Sequence, residues 1–308
     1  MPIVRWGLGH IVPPGHYWEK NVQTMVDTIL DRTDGRFEIT QYPGGSLGIE
    51  AGEYQFAVGE GVIEMGMVGV GHASGVLPWI GIFQQPFLLS WPDDYYQLAE
   101  KVQPIMEREL RKIGITPRAF GTHDPTYLYT KAPLEDVADL KGLKIRVWDE
   151  PSAHVGELLN ANPIIISYLE VYLALQRGVV DGYFSGVGGI FPISAEEFIK
   201  HAYALNLPSS SYYIAYNNEN FHDLPYEYQI ILEEELESFT ERAFEGSWPQ
   251  LETEFEKFRD AGIEIHEVDP EIMRMISDKF TTLWQEWADD GGPVAQEMLE
   301  IAFEMRGG

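Results

Sequence analysis

The stretch that decides the fold begins with Lys144-Ile145-Arg146-Val147-Trp148 and ends with Gly178-Val179-Val180-Asp181-Gly182. Its first five residues have the composition of a strand. Burying an arginine in a strand costs free energy unless its charge is paired with an anion. Asp149-Glu150-Pro151 predicts a helix with proline in the first turn, which is expected to end near residues 160–163. Residues 164–166 form a continuous apolar run, typical of a parallel strand covered on both faces.

A second helix is predicted directly after this run. Ser167 and Glu170 have the spacing of a capping box, and the helix is expected to continue through Leu175 and to stop at Gly178. A strand, a helix, a strand and a helix in succession form a parallel α/β unit. Ligands of such units bind where strands give way to loops, and Arg146 lies at that edge. Arg146 is therefore the first candidate for an anion-binding residue.

The rest of the chain predicts alternating elements before this unit and mostly helices after it. Apolar residues recur at helical spacing near the end of the chain, whereas Ile263 and Ile265 alternate as in a strand. The predicted strands are 3–9, 36–42, 62–69, 115–120, 126–130 and 212–216, and the predicted helices before the unit are 15–31, 50–59 and 93–113.

Composition excludes several classes of protein. The 308 residues suffice for one large domain or two of ordinary size, and the absence of cysteine excludes disulfides and thiolate metal sites. A net charge of −28 disfavours binding to nucleic acid or to an anionic lipid surface, and its self-repulsion favours a monomer. No apolar run is long enough to cross a membrane.

Three groups of residues resemble functional motifs but are better explained by structural roles. Residues 44–48 match the G-x-S-x-G elbow of serine hydrolases, but Pro43 breaks the preceding strand, so a structural turn is predicted. The glycine-rich residues 69–75 depart from the dinucleotide-binding spacing, although His72 could reach a ligand from there. The pairs His16 with Glu19 and His123 with Asp124 lack the further ligands that a metal needs, so no metal site is predicted.

Several segments together resemble the solute-binding proteins of TRAP (tripartite ATP-independent periplasmic) transporters. They occur in the order that this family shows, over roughly residues 5–290. They are residues 42–48, 83–88, 139–146, 170–176, 178–182 and 217–225.

The resemblance implies a two-lobed α/β fold of the periplasmic-binding-protein type, with the ligand in the cleft between the lobes. The lobes are expected at 1–123 with 211–250 and at 124–210 with 251–308. The family captures a small organic acid and delivers it to the membrane subunits of a TRAP transporter, without chemistry of its own and without a cofactor. A periplasmic location is expected, and because Met1-Pro2 leads straight into the first strand, a signal peptide would already be removed.

Arg146 is expected to hold the carboxylate of this acid through its planar guanidinium. Where many family members carry a polar Glu-Asn pair, this chain has Tyr183-Phe184-Ser185, and where some carry a second arginine it has Thr126. Both departures favour a monocarboxylate with an apolar or aromatic body over a sugar acid or a dicarboxylate. The further candidates for ligand contact are Trp148, Tyr168, Tyr183, Phe184, Ser185, Tyr212, His72, His10 and Thr126.

Two other classes of function stay open from the residues alone. An α/β hydrolase or lyase acting on a small carboxylate needs a nucleophile or base with an orienting partner, and none stands out. A structural or adaptor role would not explain why an arginine lies at the ligand-binding edge of a strand.

Overall fold

The fold is described from a computed structural model, which covers residues 2–306 apart from 13, 15–16, 90–92, 123, 149, 208–210 and 246. In chain order its strands are β1 (Val4–Gly9), β2 (Phe37–Tyr42), β3 (Met65–Gly69), β4 (Ile115–Thr122), β5 (Thr126–Thr130), β6 (Lys144–Val147), β7 (Asn162–Ile165), β8 (Gly182–Gly186), β9 (His201–Leu207), β10 (Ser211–Asn217) and β11 (Glu264–Glu267).

The α-helices account for most of the remaining ordered chain, and short 3-10 helices join them, among them Pro78–Gln84. In chain order the α-helices are α1 (Tyr17–Arg32), α2 (Tyr54–Gly59), α3 (Val70–Ala73), α4 (Asp93–Leu110), α5 (Glu150–Leu158), α6 (Val171–Gln176), α7 (Asn218–His222), α8 (Tyr226–Glu245), α9 (Ser247–Asp260), α10 (Pro270–Asp278) and α11 (Thr281–Arg306). Among the described residues, none of these helices is both long and apolar enough to cross a bilayer.

The strands form two sheets. The first sheet has the order β2-β1-β3-β10-β4, and the second sheet has the order β11-β9-β5-β8-β6-β7. In the first sheet, β10 runs antiparallel between β3 and β4. In the second, β6 runs parallel to both β7 and β8. The chain thus leaves the first sheet after β4 and returns to it at β10, which confirms the expected two-lobed α/β architecture.

The core follows from the sequence pattern of the elements around each sheet. α1 presents Val22, Met25, Val26 and Ile29 to one face of the first sheet, where these residues are buried. In the second sheet, Tyr129 and Tyr183 pack against each other across β5 and β8, with ring centroids 5.1 Å apart. Because both rings are fully buried, this part of the sheet is interior and not a ligand surface.

Two local expectations are wrong. β7 is the edge strand of its sheet, and Ile165 is 54% exposed, so residues 164–166 are not covered on both faces. Ser167 caps no helix with its side chain, because the chain first makes the 3-10 turn Tyr168–Glu170 and α6 begins at Val171. Strand β9 was not predicted at all.

The last helix also differs from its expected placement. The lobe division implied by the resemblance put residues 251–308 in the second lobe, but α11 packs on the 3-10 helix Pro78–Gln84 and on α4. Trp284 fixes this contact, because its Nε1 donates to the Pro86 carbonyl at 2.9 Å. An amphipathic pattern shows that a helix has a buried face, but it does not show which neighbour covers that face.

Candidate ligand-binding cleft

A cleft of about 1070 Å³ lies between the two sheets. It is larger than a single small acid requires, as expected for a groove that is open on one side. Its walls come from three parts of the chain. The lining residues include Trp18, His72 and Tyr212 on the side of the first sheet, Trp148, Ser152, His154 and Phe184 on the side of the second, and Leu283, Glu286, Trp287 and Asp290 from α11.

Arg146 lies beside the cleft, at the carboxyl end of β6. Its side chain is 4% exposed, and Arg146 is not itself among the residues that line the cleft. Nε donates to the Ile166 carbonyl at 2.7 Å, and Nη1 donates to the Phe184 carbonyl at 3.3 Å. These two bonds orient the guanidinium.

The second-sheet wall is built around this arginine. Phe184 follows Tyr183, the Cα partner of Arg146 in β8, and lines the cleft. β6 ends at Val147, so Trp148 lies just beyond the strand and not on it; its side chain is 42% exposed, and its backbone N–H donates to Ser152 Oγ at 3.1 Å. Arg146 therefore contacts the cleft-lining residue Phe184 through its backbone carbonyl, and Trp148, which also lines the cleft, follows two residues later in the chain.

Tyr212 forms the opposite wall with Trp18, and the centroids of their rings are 3.9 Å apart. The Tyr212 hydroxyl is buried and has no hydrogen-bond partner among the described residues. Burial raises the pKa of this phenol well above its usual range, so the hydroxyl is a neutral donor at all physiological pH. The ring lies against Gly121, where a Cβ atom would come within 2.3 Å of the hydroxyl.

The third wall is provided by α11. Trp287 donates from Nε1 to the Pro78 carbonyl at 2.9 Å, and a Cβ atom at Gly81 would lie 2.9 Å from that nitrogen. Glycine at position 81 therefore allows the indole to approach the 3-10 helix. Glu286 and Asp290, on the same helix, add acidic groups at this wall.

Four of the ten ligand candidates line the cleft, namely Trp148, Phe184, Tyr212 and His72. Tyr168 and Tyr183 instead donate their hydroxyls to the Gly189 carbonyl, at 3.2 and 3.4 Å. Burial raises the pKa of Tyr168, against the opposing effect of the Arg146 charge.

The remaining candidates also lie outside the cleft lining. Thr126 is buried in β5, and Ser185 is half-buried one position beyond Phe184, on the other face of β8. His10 is buried with Nε2 2.7 Å from Gln41 Oε1. Strand alternation explains Tyr183 and Ser185, because neighbouring side chains of a strand point to opposite faces.

The serine-hydrolase elbow considered for residues 44–48 lacks the required geometry. Residues 44–48 form a turn with positive φ at Gly44, Gly45 and Gly48, and Ser46 is exposed, whereas the next helix begins only at Tyr54. His16 and His123 lie outside the described residues. Within the described part of the chain, one group of three side chains can converge on a metal ion, and none of its members lines the cleft: His201, Glu264 and His266.

Sequence reasoning missed most of the cleft residues outside the Arg146 segment. Trp18, Ser152 and His154 lie in predicted helices, where an aromatic or polar residue near the first turn gave the only signal. The α11 residues had no signal, since the docking of that helix depends on long-range packing.

The chain passes between the two sheets more than once, and a large cleft lies between them. This architecture is typical of two-lobed solute-binding proteins. The family described as bacterial extracellular solute-binding protein, family 7 (DctP), matches residues 8–290, and the chain belongs to this family. The resemblance to TRAP solute-binding proteins is thereby confirmed.

The individual relatives have low sequence identity to this chain. The uncharacterized protein YiiZ of Salmonella typhimurium is 30% identical over 158 residues, which cover 50% of this chain and 48% of that protein. The C4-dicarboxylate-binding periplasmic protein DctP of Rhodobacter capsulatus is 25% identical over 294 residues, which cover 91% of this chain and 85% of that protein. Some of these matches, such as that to YiiZ, span only about half of the relative's length.

Solved structures share the fold over nearly the whole chain. An apo, open TRAP periplasmic solute-binding protein from Rhodobacter sphaeroides has a TM-score of 0.88 at 19% identity, covering 98% of this chain and 99% of that one. The Bordetella pertussis extracytoplasmic solute receptor DctP7, which binds pyroglutamic acid, has a TM-score of 0.79 at 22% identity, with the same coverages of 98% and 99%.

Proposed function

We propose that this protein acts outside the cytoplasm, where it captures a small organic acid in its cleft and delivers it to the membrane subunits of a TRAP-type transporter. One observation carries the proposal: a buried arginine is held at the carboxyl edge of parallel strands, directly behind the aromatic wall of a cleft between two sheets. Anionic ligands of open α/β sheets bind at this edge. Family membership supports the transport role.

Arg146 is the proposed carboxylate anchor. Its planar fork matches the two oxygens of a carboxylate, and burial in a low-dielectric region strengthens that interaction. Phe184 and Trp148 line the neighbouring cleft, so a ligand that approaches the guanidinium would meet apolar rings there. Tyr212, with its buried hydroxyl lacking a partner among the described residues, would donate to a polar atom of the ligand from the opposite wall.

Lobe closure would complete the site. The proposed lobes are residues 1–123 with 211–250 and residues 124–210 with 251–308, with α11 reaching back to the first lobe. Closing the cleft would bring the Tyr212 wall toward the Arg146 edge, with contacts that only a bound ligand completes.

The ligand is proposed to be a monocarboxylate with an apolar or compact ring body. Aromatic side chains dominate both walls near Arg146, and they leave a polyhydroxylated ligand few partners; an unpaired buried hydroxyl costs on the order of 1–3 kcal/mol. Pyroglutamic acid, bound by the Bordetella protein, has one carboxylate and a ring. The Rhodobacter capsulatus protein, by contrast, binds C4 dicarboxylates.

Two measurements test this function. Native mass spectrometry of protein purified without added ligand should show an adduct with the mass of a small acid. A thermal-denaturation panel should then give the largest shifts for ring or branched monocarboxylates, including pyroglutamate. If dicarboxylates or sugar acids give the largest shifts, the apolar specificity is wrong; if no acid of any class binds, the capture function itself is wrong.

A further inference from the structure

Three metal-ligating side chains converge on one face of the second sheet, away from the cleft. His201 Nδ1 lies 3.0 Å from His266 Nε2 and 3.5 Å from Glu264 Oε2, and His266 Nε2 lies 3.7 Å from the same carboxylate oxygen. The His201 side chain is 12% exposed and that of Glu264 is 70% exposed, so the group opens toward solvent on the carboxylate side.

The strand register brings these residues together. β11 pairs in parallel with β9, with His201 opposite Glu264 and Tyr203 opposite His266. Glu264 and His266 are two residues apart, so their side chains leave β11 on the same face. Glu264 and His266 on the edge strand thus lie next to His201, which precedes Glu264 by 63 residues in the chain.

We propose that His201, Glu264 and His266 form a binding site for Zn²⁺. Zinc takes imidazole nitrogens and carboxylate oxygens at roughly 2.0–2.2 Å in a tetrahedral arrangement, which puts its ligand atoms about 3.3 Å apart. The three separations here, 3.0, 3.5 and 3.7 Å, lie within a few tenths of an ångström of that value. Small side-chain rotations therefore suffice to seat the ion, and water from the open side would supply the fourth ligand.

The surroundings hold one imidazole in place. The Tyr203 ring stacks on His266 with centroids 4.5 Å apart and an interplanar angle of 11°. The Tyr203 hydroxyl in turn accepts a hydrogen bond from the Leu134 backbone N–H at 2.7 Å. Support of this kind around a metal ligand fixes its orientation and raises affinity. The excess of acidic residues over the whole chain also favours accumulation of cations near the surface.

The site would fasten the edge strand β11 to the rest of the second sheet. It is separate from the proposed acid-binding cleft, because His201 begins β9 whereas Leu207, which lines the cleft, ends it. Six residues of strand correspond to about 20 Å. A bound ion would therefore act on stability without touching the captured acid.

The test uses the full chain without a histidine tag, titrated calorimetrically with zinc chloride and separately with magnesium chloride. Wild-type protein should bind one Zn²⁺ per chain and unfold at a higher temperature with it, whereas Mg²⁺, a cation that prefers oxygen ligands, should do neither. Glu264→Gln and His266→Gln should each weaken Zn²⁺ binding about tenfold or more. His222→Gln, at an exposed histidine outside the group, should bind Zn²⁺ like the wild type.

Cobalt provides a second readout that does not depend on stability. Co²⁺ in place of Zn²⁺ should give the visible absorption of a four- or five-coordinate ion in the wild type and in His222→Gln, and should lose it in His266→Gln. Failure of Zn²⁺ to bind, or equal binding by wild type and by both site variants, would overturn the proposal.

Discussion

Arg146 and Phe184 are joined across two neighbouring parallel strands, because Nη1 of the arginine donates to the phenylalanine carbonyl at 3.3 Å. The same guanidinium reaches the opposite neighbour through Nε and the Ile166 carbonyl at 2.7 Å. One side chain thus ties the carboxyl ends of β6 and β8 to the residue that follows β7. The proposed anion-binding residue is therefore also a structural tie, and experiments on it must separate affinity from stability.

Closure of the cleft is expected on binding. Small-angle scattering should give a smaller radius of gyration when a saturating acid is present, because the two sheets approach each other. The protein should remain a monomer in both states, as a net charge of −28 opposes self-association. An unchanged scattering profile at saturation would contradict closure, and a dimer mass at low salt would contradict the monomer.

Trp284 should be essential for the position of α11. It is buried, its Nε1 donates to the Pro86 carbonyl, and the Arg306 guanidinium lies 4.8 Å from its ring. Trp284→Ala removes a large buried side chain and should lower the free energy of unfolding by about 3–5 kcal/mol in urea titrations. Tyr226→Ala, at a side chain that is 77% exposed, should change it by less than about 0.5 kcal/mol. Equal effects would show that α11 does not dock as described.

Buried His10 should make stability depend on pH. Burial lowers its pKa from the usual 6.5, although Gln41 and Glu19 oppose this shift. The unfolded chain then binds the proton more readily, so the contribution of His10 to stability is complete above pH 6.5 and declines as the pH falls toward the folded-state pKa.

His10→Gln should lessen this decline, by at most about 1.4 kcal/mol for each pH unit. Urea unfolding at several pH values below neutrality would measure it, and His222→Gln would serve as the exposed control. Should His10→Gln and wild type lose stability in parallel, the proton is not taken up at His10.

The parts of the fold that depend on short sequence patterns were predictable. The strand holding Arg146, the helix with Pro151 in its first turn and the strand near Tyr212 all follow from local composition and helix-start signals. The cleft was expected only through the family resemblance. Of its walls, the sequence identified Trp148, Phe184, Tyr212 and His72, because three of these residues were expected at strand ends or just beyond them, and His72 lies in α3, directly after β3.

The remainder depended on strand order and helix docking, which local patterns do not contain. The edge position of β7, the place of α11 against Pro78–Gln84, and the pairing of β11 with β9 are contacts between distant segments. Tyr183 shows the same limit at one residue. Strand alternation predicts that Tyr183 and Phe184 face opposite sides of the sheet, but only the packing shows that Tyr183 faces the core and Phe184 the cleft.

The most direct test of the central claim compares calorimetric binding of the most stabilising acid by wild type, Arg146→Lys and Arg177→Ala. Arg146→Lys keeps a positive charge but loses the planar fork, and Arg177 is an exposed arginine in the same part of the chain. A lysine cannot reproduce the two-pronged pair, and each hydrogen bond to a charged group is worth roughly 1.5–3 kcal/mol. With folding verified by circular dichroism, we therefore expect affinity to fall about tenfold to a hundredfold in Arg146→Lys and to stay unchanged in Arg177→Ala. Wild-type affinity in a folded Arg146→Lys protein would contradict the assignment of Arg146 as the carboxylate anchor.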